Sequence, residues 1–259
     1  MIWIIAGTQD GRELAAVMAK ETKADVVVTV VSNYGKVLAS QAVNDVVVGR
    51  LTQQDMETLI DNRQITMVID ASHPYAAIVS ETARQACRAK NIDYLRYERP
   101  EVELPEYNKL YHVKNEEEAA ELAGKLGTRI YLTTGSKTMA IFAKAPALQN
   151  KEVWTRVLPT VEVLQMMQDL GVTPKYTIAM QGPFSYEMNR TMFRDTHADV
   201  VVMKNSGLVG GTDTKLAAAI DEGLHIVVID RPVAKTDGYQ VVQSIEEVVE
   251  KWRNHHGIY

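Results

Sequence analysis

The chain has 259 residues, 46% of them hydrophobic, with a formal net charge of -5 and a pI near 5.7. That is enough apolar material for one large core or two ordinary ones. The acidic balance argues against a nucleic-acid partner, which needs an electropositive surface, and any anionic ligand must be met by locally clustered Lys and Arg. A single cysteine, Cys87, supports no disulfide framework and fits a reducing cytoplasm. With no base pattern beside it, Cys87 reads as a small buried apolar residue. Residues 1–7 start a strand at once, without the basic n-region and longer apolar stretch of a signal peptide. No apolar run approaches the length of a membrane span, so a soluble, cytoplasmic protein without a membrane partner is expected.

Short β-branched runs predict strands at 2–6, 26–31, 46–48, 67–71 and 94–96, then at 130–133, 153–157, 177–180, 200–203 and 226–229. They are apolar almost throughout, as parallel strands covered on both faces are. Helical patterns lie between them at 11–21, 54–63, 75–90, 138–149, 161–170, 186–194 and 214–222. This alternation predicts an α/β fold of mainly parallel, Rossmann-like sheets flanked by helices. Tyr97-Glu98-Arg99-Pro100 closes one strand, and a short strand and an acidic helix (115–126) follow. Ile229-Asp230-Arg231-Pro232 closes another, again followed by a short strand and an acidic helix (244–252). Ser244 with Glu247 has the spacing of a capping box, and Asn115 with Glu118 is a weaker version. The matching ends predict two similar domains, 1–127 and 128–259, with a cleft between them.

Gly7-Thr8-Gln9-Asp10-Gly11-Arg12 follows the first strand and opens the first helix. A nucleotide phosphate needs backbone N–H groups at such a place, with glycines for close approach. The G-x-G-x-x-G spacing is absent, so a tight β–α turn capped by Asp10 is an equal alternative. The second strand ends at Val31-Ser32-Asn33-Tyr34-Gly35-Lys36, where a carboxylate would hold the ribose of NAD. Ser32 and Lys36 stand there instead, which leans towards NADPH, although a plain polar loop would look the same. In Asp70-Ala71-Ser72-His73-Pro74-Tyr75-Ala76, Pro74 fits a first helical turn and Ser72 can cap a helix. His73 and Tyr75 are candidate proton donors, with structural roles equally open.

The second half offers Thr133-Thr134-Gly135-Ser136-Lys137, Arg156, Gln181-Gly182-Pro183-Phe184-Ser185, Lys204-Asn205-Ser206-Gly207, Gly210-Gly211-Thr212 and Lys215. These bring glycines, hydroxyls and the cations Lys137, Arg156, Lys204 and Lys215 to one sheet edge, where phosphates or carboxylates could bind. The six histidines show no metal-ligand spacing. Nucleophile-elbow, P-loop and Tyr-x-x-x-Lys patterns are absent too.

Taken in order, the segments around Gly7, Asp70, Arg96-Tyr97-Glu98-Arg99-Pro100, Met180-Gln181-Gly182-Pro183-Phe184-Ser185, Lys204 and Arg231-Pro232 resemble the precorrin-6A reductase family of cobalamin biosynthesis. Ser72 stands where Thr is often expected. The resemblance implies reduction of precorrin-6A or its cobalt complex by NADPH or NADH, with no protein-bound metal. It implies a cofactor site of Gly7, Thr8, Asp10, Gly11, Arg12, Ser32, Lys36 and Ser72 in the first domain. The polycarboxylate macrocycle would meet Lys137, Arg156, Gln181, Ser185, Lys204, Ser206, Gly210, Gly211 and Lys215 in the second. Two rivals differ in what they bind: another small-molecule reductase would ignore tetrapyrroles, and a dinucleotide sensor would bind cofactor without oxidising it.

Overall fold

A computed structural model describes residues 1–22, 24–232, 238–255 and 257. The chain opens with β1 (Ile2–Ala6), α1 (Gln9–Thr22), β2 (Val26–Val30), α2 (Asn33–Ala39), β3 (Asp45–Val48) and α3 (Gln53–Arg63). Then come β4 (Met67–Ala71), α4 (Ala77–Lys90), β5 (Asp93–Tyr97), β6 (Leu110–Val113), α5 (Glu116–Leu126) and β7 (Arg129–Leu132). After α6 (Met139–Lys144) follow β8 (Glu152–Val157), α7 (Val161–Asp169), β9 (Thr177–Ala179), α8 (Tyr186–Asp195) and β10 (Val200–Lys204). The last elements are α9 (Thr212–Asp221), β11 (His225–Ile229), β12 (Gln240–Val242) and α10 (Ile245–His255).

The strands form two six-stranded sheets, β3-β2-β1-β4-β5-β12 and β9-β8-β7-β10-β11-β6, and every pairing is parallel. The expected α/β class with two Rossmann-like sheets is therefore correct. The apolar strands are its cause: β1, β2 and β4 are buried at every position, and helices cover both faces. Trp3, Ile5, Val27 and Val68 pack on one side with Met56, Ile60 and Ala83, while Ile4, Val28 and Ile69 pack on the other with Leu14 and Met18. In the second sheet Tyr131, Val201 and Ile226 pack against Phe193 and Leu216.

The expected boundary at 127 is corrected. One compact unit comprises residues 1–100 and 232–259, the other residues 101–231. Each sheet takes its sixth strand from the other half of the chain: Gln240 of β12 pairs with Leu95, and Leu110 of β6 pairs with Ile226. The two Arg-Pro segments, Arg99-Pro100 and Arg231-Pro232, are the places where the chain passes from one unit to the other. Gly127 belongs to an ordinary α5–β7 turn inside the second unit. A Cβ there would lie 2.7 Å from the Asp199 Cβ, so the glycine reflects close packing, not a linker.

Helix starts follow their caps. Glu118 N donates to Asn115 Oδ1 and Glu247 N to Ser244 Oγ, as the spacing predicts. A further capping box, Thr52 with Asp55, starts α3. Two expectations differ. Residues 33–39 form α2 where a loop is expected, with Ser32 as the cap accepting from Gly35 N. The fourth helix begins at Ala77 with no side-chain cap, so Ser72 does not cap it and Pro74 precedes it.

Candidate functional site

In the first unit the strand order reverses between β1 and β4, and the segments after both strands meet there. Thr8 joins them: its hydroxyl donates to Ala71 O (3.3 Å) and accepts from Gly11 N (3.1 Å), capping α1. The cap is thus Thr8, not Asp10. Arg12 folds back to donate to Thr8 O at 3.1 Å. The two glycines do different work. A Cβ on Gly7 would meet nothing within 4 Å, leaving its backbone open to a ligand. A Cβ on Gly11 would lie 3.1 Å from Ala71 O and 3.3 Å from the Ala6 Cα, so its absence lets α1 seat against β1 and β4. Open backbone at Gly7 and a first helical turn whose early amides lack intrahelical acceptors make a cradle that fits a dinucleotide pyrophosphate. Ser32 and Lys36 are exposed beyond the end of β2.

Asp10 is buried and paired with Arg99 at 2.6 Å, so its carboxylate is occupied within the fold. Deeper in, fully buried Asp70 accepts from Tyr94 OH (2.7 Å) and Ser72 N (2.9 Å) and pairs with Arg96 (2.9 Å). Burial alone would raise the Asp70 carboxyl, but the Arg96 guanidinium and hydrogen bonds from Ser80, Tyr94 and Ser72 outweigh it and hold it low. Burial, followed by the Asp70 charge and its hydrogen bond, drives the Tyr94 phenol upward. Arg96 also donates to Ser72 Oγ (3.0 Å) and to the Asp70 carbonyl (3.3 Å). Ser72 is therefore a strut between strand and loop. Beyond it, Tyr75 N donates to His73 Nδ1 at 3.3 Å, and the two rings lie 5.6 Å apart in a half-buried turn. Cys87 is buried, and burial and then the Asp70 and Asp93 charges push its thiol up to about 12, which makes it no nucleophile.

The second unit reverses its strand order between β7 and β10. Ser185 caps α8, accepting from Met188 N, and Gly211, at φ +65°, starts α9. The two helix starts are tied together: Thr214 Oγ1 and Asn189 Nδ2 both donate to Phe184 O. Arg156 is buried beneath them, its Nη1 donating to Asn189 Oδ1 (2.7 Å) and its guanidinium 4.1 Å from the Phe184 ring centroid. Burial lowers its pKa, and only Tyr131 opposes that. Lys215 is buried nearby, and burial first, then the Arg156 charge, push its ammonium down to about 7 against the pull of Asp213. Ser206 is buried, with its amide donating to Thr212 Oγ1, while Gln181 and Lys137 are exposed. Gly210 ends a short 3-10 turn that leads to Gly211. Lys204, at the end of β10, pairs with Glu116 at 2.7 Å.

Sequence reasoning missed Arg96, Tyr94 and Arg99 as residues shaping the first site. The available signal was the motif Arg96-Tyr97-Glu98-Arg99-Pro100 at a strand's carboxyl end. Among the described residues no group of His, Cys, Asp and Glu could hold a metal ion, and no helix is long and apolar enough to cross a membrane.

A six-stranded parallel sheet in the order β3-β2-β1-β4-β5-β12, with an open glycine and a helix start at its reversal point, defines a Rossmann-like α/β protein. The family described as Precorrin-6x reductase CbiJ/CobK matches residues 1–253. A cobalt-precorrin-6A reductase of Priestia megaterium is 39% identical over 96% of this chain and 96% of its own length. One from Salmonella typhimurium is 34% identical over 94% and 92%. The solved structure of CobK precorrin-6A reductase has the same fold, with TM-score 0.78 and 22% identity over 99% of this chain and 97% of that one. The chain belongs to the precorrin-6x reductase family.

Proposed function

We propose that this chain is a cobalamin-biosynthesis reductase converting cobalt-precorrin-6A to cobalt-precorrin-6B. The carrying observation is the reversal point of the first sheet, open at Gly7 and tightly packed at Gly11, in a chain of this family. The names of the Priestia and Salmonella relatives favour the cobalt-containing substrate. The metal then enters as part of the substrate and needs no protein ligand.

Gly7, Thr8, Gly11 and Arg12 frame the pyrophosphate cradle, and the helix-start amides meet its charge. Ser32 and Lys36 face the adenosine ribose, and the missing carboxylate there favours NADPH over NADH. A reduced nicotinamide, when bound, supplies the hydride that adds to one carbon of a conjugated double bond. The protein's task is to hold the macrocycle at hydride distance and exclude water. The proton that completes the reduction comes from His73, from Tyr75 or from water, and no catalytic acid is assigned. In the second unit, Arg156, Lys215, Ser185 and Gly211 are the partners for substrate carboxylates, with Lys137, Gln181, Ser206 and Gly210 around them.

The test is anaerobic turnover: NADPH and NADH are each mixed with cobalt-precorrin-6A and with the metal-free compound, and loss of reduced-nicotinamide absorbance is followed. Faster oxidation with the cobalt compound and NADPH is expected. No oxidation with either macrocycle overturns the reading.

A further inference from the structure

Two cations are buried in the second unit without a hydrogen-bonded carboxylate among the described residues. Arg156 and Lys215 are each 6% exposed. Arg156 contacts an amide oxygen, a thioether and two aromatic rings. Lys215 Nζ makes no hydrogen bond or ion pair with any of the described residues, and its tip keeps a small contact with solvent. A buried ammonium in that condition is costly to hold, and folds usually pair such groups or replace them with apolar ones. The charges around Lys215 do not resolve this. Arg156 on β8 repels it, and Asp213 on its own helix attracts it from an exposed position. On α8, Arg190 and Arg194 are taken up by Glu222, Tyr186 by Asp221, and Glu187 and Asp195 are exposed. On β7, Tyr131 is a buried phenol that burial pushes up to about 12.

The surroundings favour an anion. Arg156 lies where the starts of α8 and α9 are tied together through the Phe184 carbonyl, and both helix starts carry positive potential. Apolar side chains are exposed just past the same strand ends: Leu158 and Val161 after β8, Met180 and Met188 after β9, Leu208 and Val209 after β10. Exposed apolar groups around buried cations suit a ligand with a flat apolar face and oxyanions on its edge.

We infer that Arg156 and Lys215 form a buried socket for one oxyanion of the substrate, a carboxylate on the macrocycle edge. This rests on the proposed reductase reading and adds to it that the two cations share one oxyanion, which a proton accompanies. Binding is then coupled to a proton. Without ligand Lys215 is mostly neutral above its lowered pKa of about 7, and an oxyanion seated beside it draws a proton on. A phosphate of the dinucleotide is the alternative source of the same chemistry.

The probes are uroporphyrin I, a polycarboxylate macrocycle, and NADPH, each titrated calorimetrically into the whole protein in Hepes and in Tris, whose ionisation enthalpies differ. At about pH 8 the wild type is expected to take up close to one proton per porphyrin, and at about pH 6 almost none. Lys215→Met should lose the uptake and bind porphyrin about ten- to a hundredfold more weakly, with NADPH affinity unchanged. Lys215→Arg should bind without uptake. Methionine matches the stem of lysine without its charge, and circular dichroism confirms that the variant is folded. Equal porphyrin affinity and equal uptake in wild type and Lys215→Met overturn the socket. Uptake on NADPH binding that vanishes in Lys215→Met overturns the carboxylate assignment in favour of a phosphate. Turnover of cobalt-precorrin-6A with an unchanged KM in Lys215→Met sinks the socket and leaves the reductase standing. Proton-coupled porphyrin binding in a protein that turns over no macrocycle keeps the socket and sinks the reductase.

Discussion

Replacing Asp70 with Asn tests whether the buried charge pair under the first site holds it together. The carboxylate is fully buried and receives Arg96, Tyr94 and the Ser72 amide at 2.7 to 2.9 Å. Asparagine keeps the volume but removes the charge, leaving Arg96, whose side chain is 5% exposed, with neutral acceptors and the more exposed Glu98 carboxylate at 3.2 Å. Breaking a buried pair from one side costs about 3–5 kcal/mol, and the surviving Glu98 contact puts this case near the lower end, about 3 kcal/mol. For a chain of this size about 2–4 °C is lost per kcal/mol, so calorimetry should find the melting point lowered by roughly 6–12 °C. Removing both partners with Asp70→Leu and Arg96→Met should recover much of that loss, since no charge is then stranded. The pair also has a pH signature. The folded Asp70 carboxyl lies below its unfolded value of 3.8, so its contribution is complete above that value and is lost as pH falls below it. The single variant should therefore lose less stability than wild type on acidification. A drop under about 2 °C, or a double variant as damaged as the sum of the singles, would refute the account.

Three further outcomes are expected. Gly11→Val should lower the melting point as well as dinucleotide affinity, because its Cβ would meet Ala71 O at 3.1 Å; Gly7→Ala should leave stability alone and weaken NADPH binding, and the reverse pattern in paired melting and titration experiments would exchange their roles. Ser32→Asp should move the kcat/KM preference from NADPH towards NADH by repelling the 2′-phosphate and accepting from the ribose, and an unchanged ratio would remove Ser32 from the cofactor site. In the absence of ligand, wild-type stability relative to Lys215→Met should rise with pH from about 7 towards 10.5, because the unfolded lysine holds a proton that the folded one has released. A flat difference across that range in parallel melts would mean Lys215 is not depressed.

How much was legible in advance differs by element. Strands such as Ile2–Ala6 and Met67–Ala71 stand where their apolar runs predict, because a parallel strand covered on both faces must be apolar at nearly every position. Caps such as Asn115 are equally local, since the side chain needs only an amide three residues on. The short helix Asn33–Ala39 is not legible in the sequence, because its exposed face carries Tyr34 and Val37 and its core face offers little beyond Ala39. Glycines at strand ends pointed to both sheet edges. They could not tell an open backbone at Gly7 from a packing contact at Gly11, which depends on Ala71 some sixty residues away.

The amino-acid sequence by itself determined most of the run of elements, the parallel class and the family, all of which depend on short-range pattern and ordered motifs. Only the tertiary structure decided which strands are neighbours. A run such as Tyr111-His112-Val113 states that it is a strand but not that it pairs with β11, and so the exchange of sixth strands had to be seen. The same holds for charge. Lys204 and Lys215 look alike along the chain, yet Glu116 neutralises one and burial beside Arg156 isolates the other. Pairing, of strands or of charges, is set by residues distant in the chain, and local sequence carries no record of which distant partner arrives.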